Sequence, residues 1–303
     1  MLSSLLSLYI ASVINTHLGG NTKTLPGLKN TLVKAVSFNF EDLSEIESAP
    51  KKDANMISPI INSRASIAMD DKTGTVLYED NSHKRLAIAS ITKLMTILIV
   101  LEENDINDVA TVSKNAVSTS GTTMLLAEGE KITIKDLIYG SIINSANDAA
   151  IALAEYNAGD VKKFVEKMNE KALQLGLVNT HFSTPTGLDN PDNYSSAYDI
   201  ATLARYVYQK QFIREGAETK ELTVISSDGK YTHKLTSTNE LLGNKFFNIK
   251  GLKTGSTDEA GECLVSIANN DKGDEIITVL LNSPARFTET KILVDWIFRA
   301  YTW

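Results

Sequence analysis

The order of hydrophobic patterns along the chain constrains its fold more than any single motif does. Alternating β-forming residues occupy residues 64–80 and return after Lys220, while the stretch between them has the three and four spacing of helices. An amphipathic stretch near the end, ETKILVDWIFRAY, predicts a helix that covers a sheet. Strands first, helices in the middle and antiparallel strands last predict one layered α/β domain over residues 58–303.

Individual elements follow from the same patterns. RASIAMDDKTGTVLYED predicts two strands joined by a turn at Asp70 to Gly74, and AIASITKLMTILIVLEE predicts a mostly buried helix that begins near Ser90. Further helices are predicted in IKDLIYGSIINSANDAAIALAEYNA, DVKKFVEKMNEKALQLG and AYDIATLARYVYQK. The late strands are predicted in ELTVISS, YTHKLTST, GECLVSIAN and EIITVLLNS.

The first 57 residues are expected to lie outside this domain. The apolar run from Leu2 to Ile14 has the length of a secretory signal core, so residues 1–20 are expected to be a signal peptide or membrane anchor. No Lys or Arg precedes the run and no clear cleavage site follows it, which leaves an uncleaved anchor, a misplaced start codon or an ordinary amphipathic helix as alternatives. Residues 21–57 are expected to be a linker or a loosely held arm.

Composition argues against several functions. With 37 acidic and 30 basic side chains, the formal charge is -7, so nucleic acid and anionic membranes are poor candidate partners. Cys263 is the only cysteine, which excludes an intramolecular disulfide and a cysteine-built metal site. The four histidines have no catalytic context in the sequence; they are His17, His83, His181 and His233. A serine hydrolase here would therefore need lysine as its base.

A Ser-x-x-Lys motif places a hydroxyl and an amine on one face of a helix, where the amine can take the serine proton. The chain matches it at residues 48–51, 90–93 and 227–230. The first match lies in a polar stretch with a proline and the third in a predicted turn. Only Ser90 and Lys93 open a buried helix, although a helix cap and a surface charge would be the plain structural interpretation of that pair.

Two further motifs are weak by themselves. Ser-x-Asn occurs four times, but only Ser145 and Asn147 lie between two predicted helices, where they would either face a cleft or cap a helix. Lys-Thr-Gly occurs twice. The copy at residues 72–74 falls in the predicted hairpin turn, whereas the copy at residues 253–255 starts a predicted β region. There Lys253 and Thr254 could bind a carboxylate, and Gly255 would let a substrate backbone approach.

Taken in order, Ser90-Ile-Thr-Lys93, Ser145-Ala-Asn147 and Lys253-Thr254-Gly255 resemble the motifs of penicillin-binding proteins and β-lactamases. Longer stretches, among them LLAEGEKITIKDLIYGSIINSANDAA and RFTETKILVDW, resemble the serine D-alanyl-D-alanine carboxypeptidases over nearly all of residues 58–303. The resemblance implies a β-lactamase and transpeptidase-like fold, an antiparallel sheet covered by helices with a mostly helical insert. It also implies an exported, extracytoplasmic enzyme of cell-wall metabolism.

The same resemblance implies roles for the motif residues. Ser90 would attack the bond between the terminal D-alanines of a peptidoglycan stem pentapeptide and form an acyl-enzyme. Lys93 would be the general base, and Ser145 would relay a proton to the leaving amine. Asn147 would orient Lys93 and the substrate. Lys253 and Thr254 would bind the substrate carboxylate. The backbone N–H groups of Ser90 and Ser256 would form the oxyanion hole.

The resemblance further implies that β-lactam antibiotics are covalent inhibitors and that no metal or organic cofactor is needed. The chain departs from the family pattern at Ser256 and Asn193, where histidine is common, and both changes are expected to shift substrate preference. Many relatives continue into a second β-rich domain and a C-terminal anchor. Any membrane attachment is therefore expected from the N-terminal segment.

Three other functions stay open from sequence. A D,D-endopeptidase would use the same residues on cross-links. A β-lactamase would need a deacylating glutamate, for which residues 170–174, Glu-Lys-Ala-Leu-Gln, are the nearest match. A non-catalytic wall-binding module would have kept the fold but lost the nucleophile or base, and both Ser90 and Lys93 are present.

Overall fold

A computed structural model describes residues 49–243 and 248–303. The predicted signal or anchor segment and most of the predicted linker lie outside the described residues. The strands are β1 (Lys51–Lys52), β2 (Ala65–Asp70), β3 (Val76–Asp80), β4 (Leu86–Ala87), β5 (Val109–Thr111), β6 (Lys131–Thr133), β7 (Tyr194–Ser195), β8 (Glu221–Ile225), β9 (Thr232–Thr236), β10 (Asn248–Thr257), β11 (Gly261–Asn269), β12 (Glu275–Ser283) and β13 (Tyr301–Thr302).

The helices fill the middle of the chain and close it. They are α1 (Lys93–Glu103), α2 (Lys114–Val117), α3 (Ile134–Ile142), α4 (Asn147–Ala158), α5 (Val161–Gln174), α6 (Ala197–Tyr208), α7 (Gln211–Glu218) and α8 (Arg286–Ala300), with a 3₁₀ turn at Ala89–Thr92. The sequence predictions for α1, α3 to α6 and α8 are confirmed. The short α2 and α7 were not predicted, because neither has enough turns to show a helical period.

Strands from the two ends of the chain meet in one five-stranded antiparallel sheet, in the order β10, β11, β12, β2, β3. The contact between the early and late strands is the pairing of β12 with β2, in which Val279 lies opposite Ile67. The helical middle is therefore an insertion between strands of one sheet, as the order of patterns predicts.

Both faces of this sheet are covered. On one face, Ala68 and Leu280 pack with Leu293 and Ile297 of α8. On the other face, Ile67 and its neighbours pack into the larger helical core. Helix α1 runs through that core, and its residues 93–100 are all buried. Coverage of both faces explains why all six residues of β2 are buried, including the polar Ser66 and Asp70.

Two predicted boundaries need correction. The domain was expected to begin near Ser58, but β1 pairs with β13 and Asp53 N donates to Ala300 O, so residues 51–53 are part of the folded unit. The second Lys-Thr-Gly was expected to start a β region. It lies instead near the end of β10, because the strand already begins at Asn248.

The first Lys-Thr-Gly forms the turn between β2 and β3, as predicted. Asp70 Oδ2 accepts hydrogen bonds from Thr73 N and Thr73 Oγ1 at 2.8 and 2.6 Å. Gly74 has φ +73°, and a Cβ there would lie 2.5 Å from Arg205 Nη1. The glycine is therefore needed both for its backbone angle and for the space it leaves.

We expect Gly74→Ala to lower the free energy of unfolding by about 1–2 kcal/mol, because alanine resists a positive φ, and by more if Arg205 cannot move. Urea denaturation measures this. Gly229→Ala is the matched control, since Gly229 has φ +74° with nothing within 4 Å of the added Cβ. Equal losses in the two variants would show that the Arg205 contact costs nothing.

Candidate active site

The predicted nucleophile lies where a 3₁₀ turn passes into helix α1. Ser90 belongs to that turn and is half-buried, and Lys93 is the first residue of α1. Their side chains meet as the three-residue spacing predicts, with Lys93 Nζ 2.8 Å from Ser90 Oγ. Lys93 is fully buried and is therefore not the surface charge of the plain structural interpretation.

The polar atoms around Lys93 fit a neutral amine. Nζ lies 2.7 Å from Asn147 Oδ1 and 2.8 Å from the carbonyl oxygen of Thr186. Both of these atoms only accept hydrogen bonds, and a neutral amine has two N–H groups for them. Its lone pair then remains for the hydroxyl proton of Ser90. The Asn147 amide is fixed in this orientation because its Nδ2 donates to Ser120 O at 2.7 Å.

Burial and charge act in the same direction on the base. Loss of water lowers the pKa of Lys93 well below its ordinary value, and the positive charge of Lys253 lowers it further. The carboxylate of Asp148 opposes this shift, but it is the smallest of the three effects. Burial and the charge of Lys253 both favour the neutral, basic form of the Lys93 amine over its charged form.

The Ser-x-Asn motif forms the junction between α3 and α4, as predicted. Ser145 has φ +60°, which turns the chain sharply between the two helices. Ala146 N donates to Gly140 O, and Asn147 N donates to Thr122 O at 2.7 Å. These hydrogen bonds fix the backbone of the junction. The side chain of Ser145 then faces Lys253, and that of Asn147 faces Lys93.

Lys253 faces Ser145 from strand β10, with 2.8 Å between Lys253 Nζ and Ser145 Oγ. Burial lowers the pKa of Lys253 to about 7, and the charge of Arg286 adds to the shift. The positive charge of Lys253 in turn lowers the pKa of Lys93.

Gly255 lets two parts of the protein approach each other. A Cβ at this position would lie 3.0 Å from Ile88 O and 3.2 Å from Ser90 N. The role expected for Gly255 toward a substrate backbone stays a prediction, and the protein atoms that approach this glycine belong to the turn carrying Ser90. The next residue, Ser256, is exposed at the end of the same strand.

The site contains residues that the sequence analysis missed. Arg286 Nη1 donates to Gly255 O at 2.8 Å, and Thr238 Oγ1 contacts Thr254 Oγ1. Thr186 and Ser120 contribute only carbonyl oxygens, which no side-chain pattern can reveal. For Arg286 the only signal was its place at the start of the closing helix.

Asn193, one of the two departures from the family pattern, lies behind the turn that carries Ser90. Its Nδ2 donates to Thr92 Oγ1 at 3.0 Å, its Oδ1 accepts from Ser183 N at 3.1 Å, and its side chain is buried. It therefore supports the turn of Ser90 from behind rather than facing a substrate. Cys263 is also buried, and burial raises the pKa of its thiol to about 11.

Comparisons with known proteins match the chain to one family. The family model described as D-alanyl-D-alanine carboxypeptidase matches residues 52–285. The D-alanyl-D-alanine carboxypeptidase DacF of Bacillus subtilis (strain 168) is 36% identical over 83% of this chain. The match covers 66% of DacF, so the chain spans about two thirds of that relative's length.

Two further matches cover most of both proteins. A D-alanyl-D-alanine endopeptidase of Pseudomonas aeruginosa is 36% identical over 82% of each chain. The crystal structure of the Streptomyces K15 DD-transpeptidase superposes with a TM-score of 0.75 at 32% identity, covering 80% of this chain and 99% of that one. The predicted transpeptidase-like fold is thereby confirmed.

The lowered pKa of Lys93 predicts how stability depends on pH. The unfolded chain keeps a proton on this lysine up to its ordinary pKa of 10.5, whereas the folded protein loses that proton well below this pH. Stability therefore rises with pH in that window, by up to about 1.4 kcal/mol per unit for one proton. Urea unfolding between pH 8 and 10 should show a smaller slope in Lys93→Met than in wild type.

Lys234→Met is the control, because Lys234 is exposed on β9. Its slope should equal that of wild type. Identical slopes in wild type and Lys93→Met would mean that Lys93 keeps its proton in the folded protein.

Proposed function

The chain belongs to the family of D-alanyl-D-alanine carboxypeptidases, and we propose that it removes the terminal D-alanine from peptidoglycan stem pentapeptides through an acyl-enzyme on Ser90. The observation that carries this proposal is the 2.8 Å contact between Ser90 Oγ and the buried amine of Lys93. A serine hydroxyl is a weak nucleophile until a base removes its proton, and Lys93 Nζ lies within hydrogen-bond distance of that hydroxyl.

Acylation begins with proton transfer from Ser90 Oγ to Lys93 Nζ. The oxygen attacks the carbonyl carbon of the bond between the two D-alanines, and the carbonyl oxygen becomes negative. The N–H groups of Ser90 and Ser256 are the proposed donors to this oxyanion. The close packing of Gly255 against the Ser90 turn supports this, because it brings β10 next to the nucleophile.

The leaving D-alanine needs a proton on its nitrogen. Ser145 Oγ is the proposed donor, and it regains a proton from Lys253, whose Nζ is 2.8 Å away. A pKa of about 7 suits Lys253 to giving and taking protons near neutrality. After D-alanine leaves, Lys93 releases the proton taken from Ser90 to solvent and Lys253 regains one from solvent. A water molecule then attacks the acyl-enzyme and gives a proton to Lys93, which passes it to the departing oxygen of Ser90 as the shortened peptide is released.

The substrate carboxylate is expected to lie beside Lys253 and Thr254. Arg286 adds a second positive charge on the same side, through its contact with Gly255 O. An incoming carboxylate would favour the protonated form of Lys253 and so counter its burial. This arrangement favours peptides that end in a free carboxylate, and β-lactams, which carry one beside their reactive carbonyl, are proposed covalent inhibitors.

A D,D-endopeptidase is the second candidate function. The Pseudomonas aeruginosa protein with this name is 36% identical to the chain, the same identity as DacF. The match covers 82% of each protein. A β-lactamase has less support, because Glu170 is an exposed residue of helix α5.

We also propose that the protein is exported and acts on the cell wall, since its proposed substrate lies outside the cytoplasm. In residues 49–243 and 248–303, no helix has the length and apolar character needed to cross a membrane. Attachment through the N-terminal segment remains part of the proposal.

The proposal predicts that purified protein releases D-alanine from a pentapeptide muropeptide and that Ser90→Ala abolishes release. A cross-linked muropeptide dimer serves as the second substrate. Cleavage of the dimer alone would make the protein an endopeptidase. If neither substrate turns over and a labelled penicillin fails to attach, the catalytic proposal is wrong.

The two Lys-Thr-Gly copies provide an internal control. Lys253→Ala should lower the rate of acylation by penicillin about a hundredfold or more, because it removes a buried charged donor beside Ser145. Lys72→Ala, in the turn between β2 and β3, should stay within about twofold of wild type. Equal losses would refute the assignment of the site to the second copy.

A further inference from the structure

A buried pair of ionisable residues lies outside the machinery described above. His233 Nε2 is 2.7 Å from Glu130 Oε1, and His233 Nδ1 is 2.8 Å from the carbonyl oxygen of Met124. Their side chains are only 4% and 0% exposed. Buried charged or polar groups persist where they are fully hydrogen-bonded, and this pair is.

The imidazole donates from both of its nitrogens or shares one proton with the carboxyl group. Met124 O can only accept, so Nδ1 carries a hydrogen. A second proton must lie between Nε2 and Glu130 Oε1, whichever of the two holds it. The histidine therefore ties Met124 and Glu130 together through directional bonds rather than by loose charge attraction.

The tied segment is a loop of residues 120–130, here called the anchored loop. Besides His233, Asp148 holds it by accepting from Met124 N and Leu126 N, both at 3.0 Å. Between these two amides, Leu125 has φ +64° and is 81% exposed. A leucine in this conformation is strained, and strain persists only where surrounding bonds over-determine it.

The anchored loop supports Asn147 directly. Ser120 O accepts from Asn147 Nδ2, and Thr122 O accepts from Asn147 N, both at 2.7 Å. Asn147 Oδ1 in turn accepts from Lys93 Nζ. A shift of the loop would therefore move the amide that orients the proposed base.

His233 also connects the loop to the opposite wall of the site. It lies in β9, and two residues after that strand Thr238 contacts Thr254 through their hydroxyls. Thr238 N also donates to Ile143 O, beside the Ser145 junction. The pair of Glu130 and His233 therefore connects the anchored loop, which supports Asn147, to strand β9. Strand β9 is followed by Thr238, which contacts Thr254.

We propose that Glu130 and His233 are positioning residues that hold Asn147 and Lys93 in register for acylation of Ser90. The proposal rests on the proposed function for the meaning of that geometry. Neither residue touches Ser90, so each acts through the segments that it holds, which are the anchored loop and, for His233, also β9.

His233→Gln tests the proposal, because glutamine can reach only one of the two acceptors at a time. Its acylation rate constant with a labelled penicillin should fall about ten- to hundredfold, the range expected for misplacing a catalytic group by about 1 Å. The dissociation constant of the initial penicillin complex should change less than about threefold, because Lys253 and Thr254 are untouched.

Glu130→Gln is the conservative variant. Its amide can donate to a neutral His233 while its oxygen still accepts from Ala127 N, as Glu130 Oε2 does at 2.9 Å. It should retain the acylation rate within about threefold, whereas Glu130→Ala should behave like His233→Gln. A loss in Glu130→Gln as large as in Glu130→Ala would overturn positioning by hydrogen bonds.

Asp70→Asn controls for lost stability. Asp70 is a buried carboxylate that accepts from Thr73 N and Trp303 Nε1 in the turn between β2 and β3. Lys234→Gln controls for a change in β9 itself. Both should keep the wild-type acylation rate, and an equal loss in Asp70→Asn would assign the effect of His233→Gln to stability alone.

Amide hydrogen exchange gives a readout that does not need activity. The N–H of Asn147 donates to Thr122 O, so His233→Gln should speed its exchange about tenfold or more, and Lys234→Gln should not. Unchanged exchange in His233→Gln would refute the proposal even if the wild-type protein were inactive. Failure of wild type to react with penicillin would instead refute the proposed function.

Discussion

The burial of one amine governs how the rest of this structure is arranged. Lys93 begins helix α1, which runs through the core, and burying its charged form there would cost a large free energy of desolvation. The surroundings offer it two acceptors and one hydroxyl, which suit the neutral amine. Three segments therefore have to meet at the amine of Lys93. They are the loop that carries Thr186, the junction that carries Asn147 and the turn that carries Ser90.

Lys253 is a second buried lysine, and burying it adds to the free-energy cost of folding. Lys253 lies on a different element, and its charge helps to lower the pKa of Lys93. Arg286 does the same to Lys253, so each of these three basic side chains lies close enough to the next to influence its pKa. Such crowding of like charge opposes folding in any protein. It is useful here because it favours the neutral, basic form of Lys93. Lys253 can still carry the positive charge that would meet a substrate carboxylate.

Sequence patterns could predict those parts of the site that lie within one element. The three-residue spacing of Ser90 and Lys93 and the junction at Ser145 are local features, and both have the expected geometry. The carbonyl oxygens of Thr186 and Ser120 could not be foreseen, because they are contributed by backbone from distant loops. The hydrogen bond from Asn193 to Thr92 could not be foreseen for a related reason, because tertiary packing brings these two residues together.

The two Lys-Thr-Gly copies show why the same triplet needs its tertiary surroundings to be interpreted. Gly74 is required by a positive backbone angle, which follows from a turn of a few residues. Gly255 sits in a strand without that angle, and it is required because the Ser90 turn packs where a Cβ would be. The first requirement is local and the second joins residues that are 165 positions apart. A triplet acquires chemistry only where such a long-range approach brings a second motif beside it.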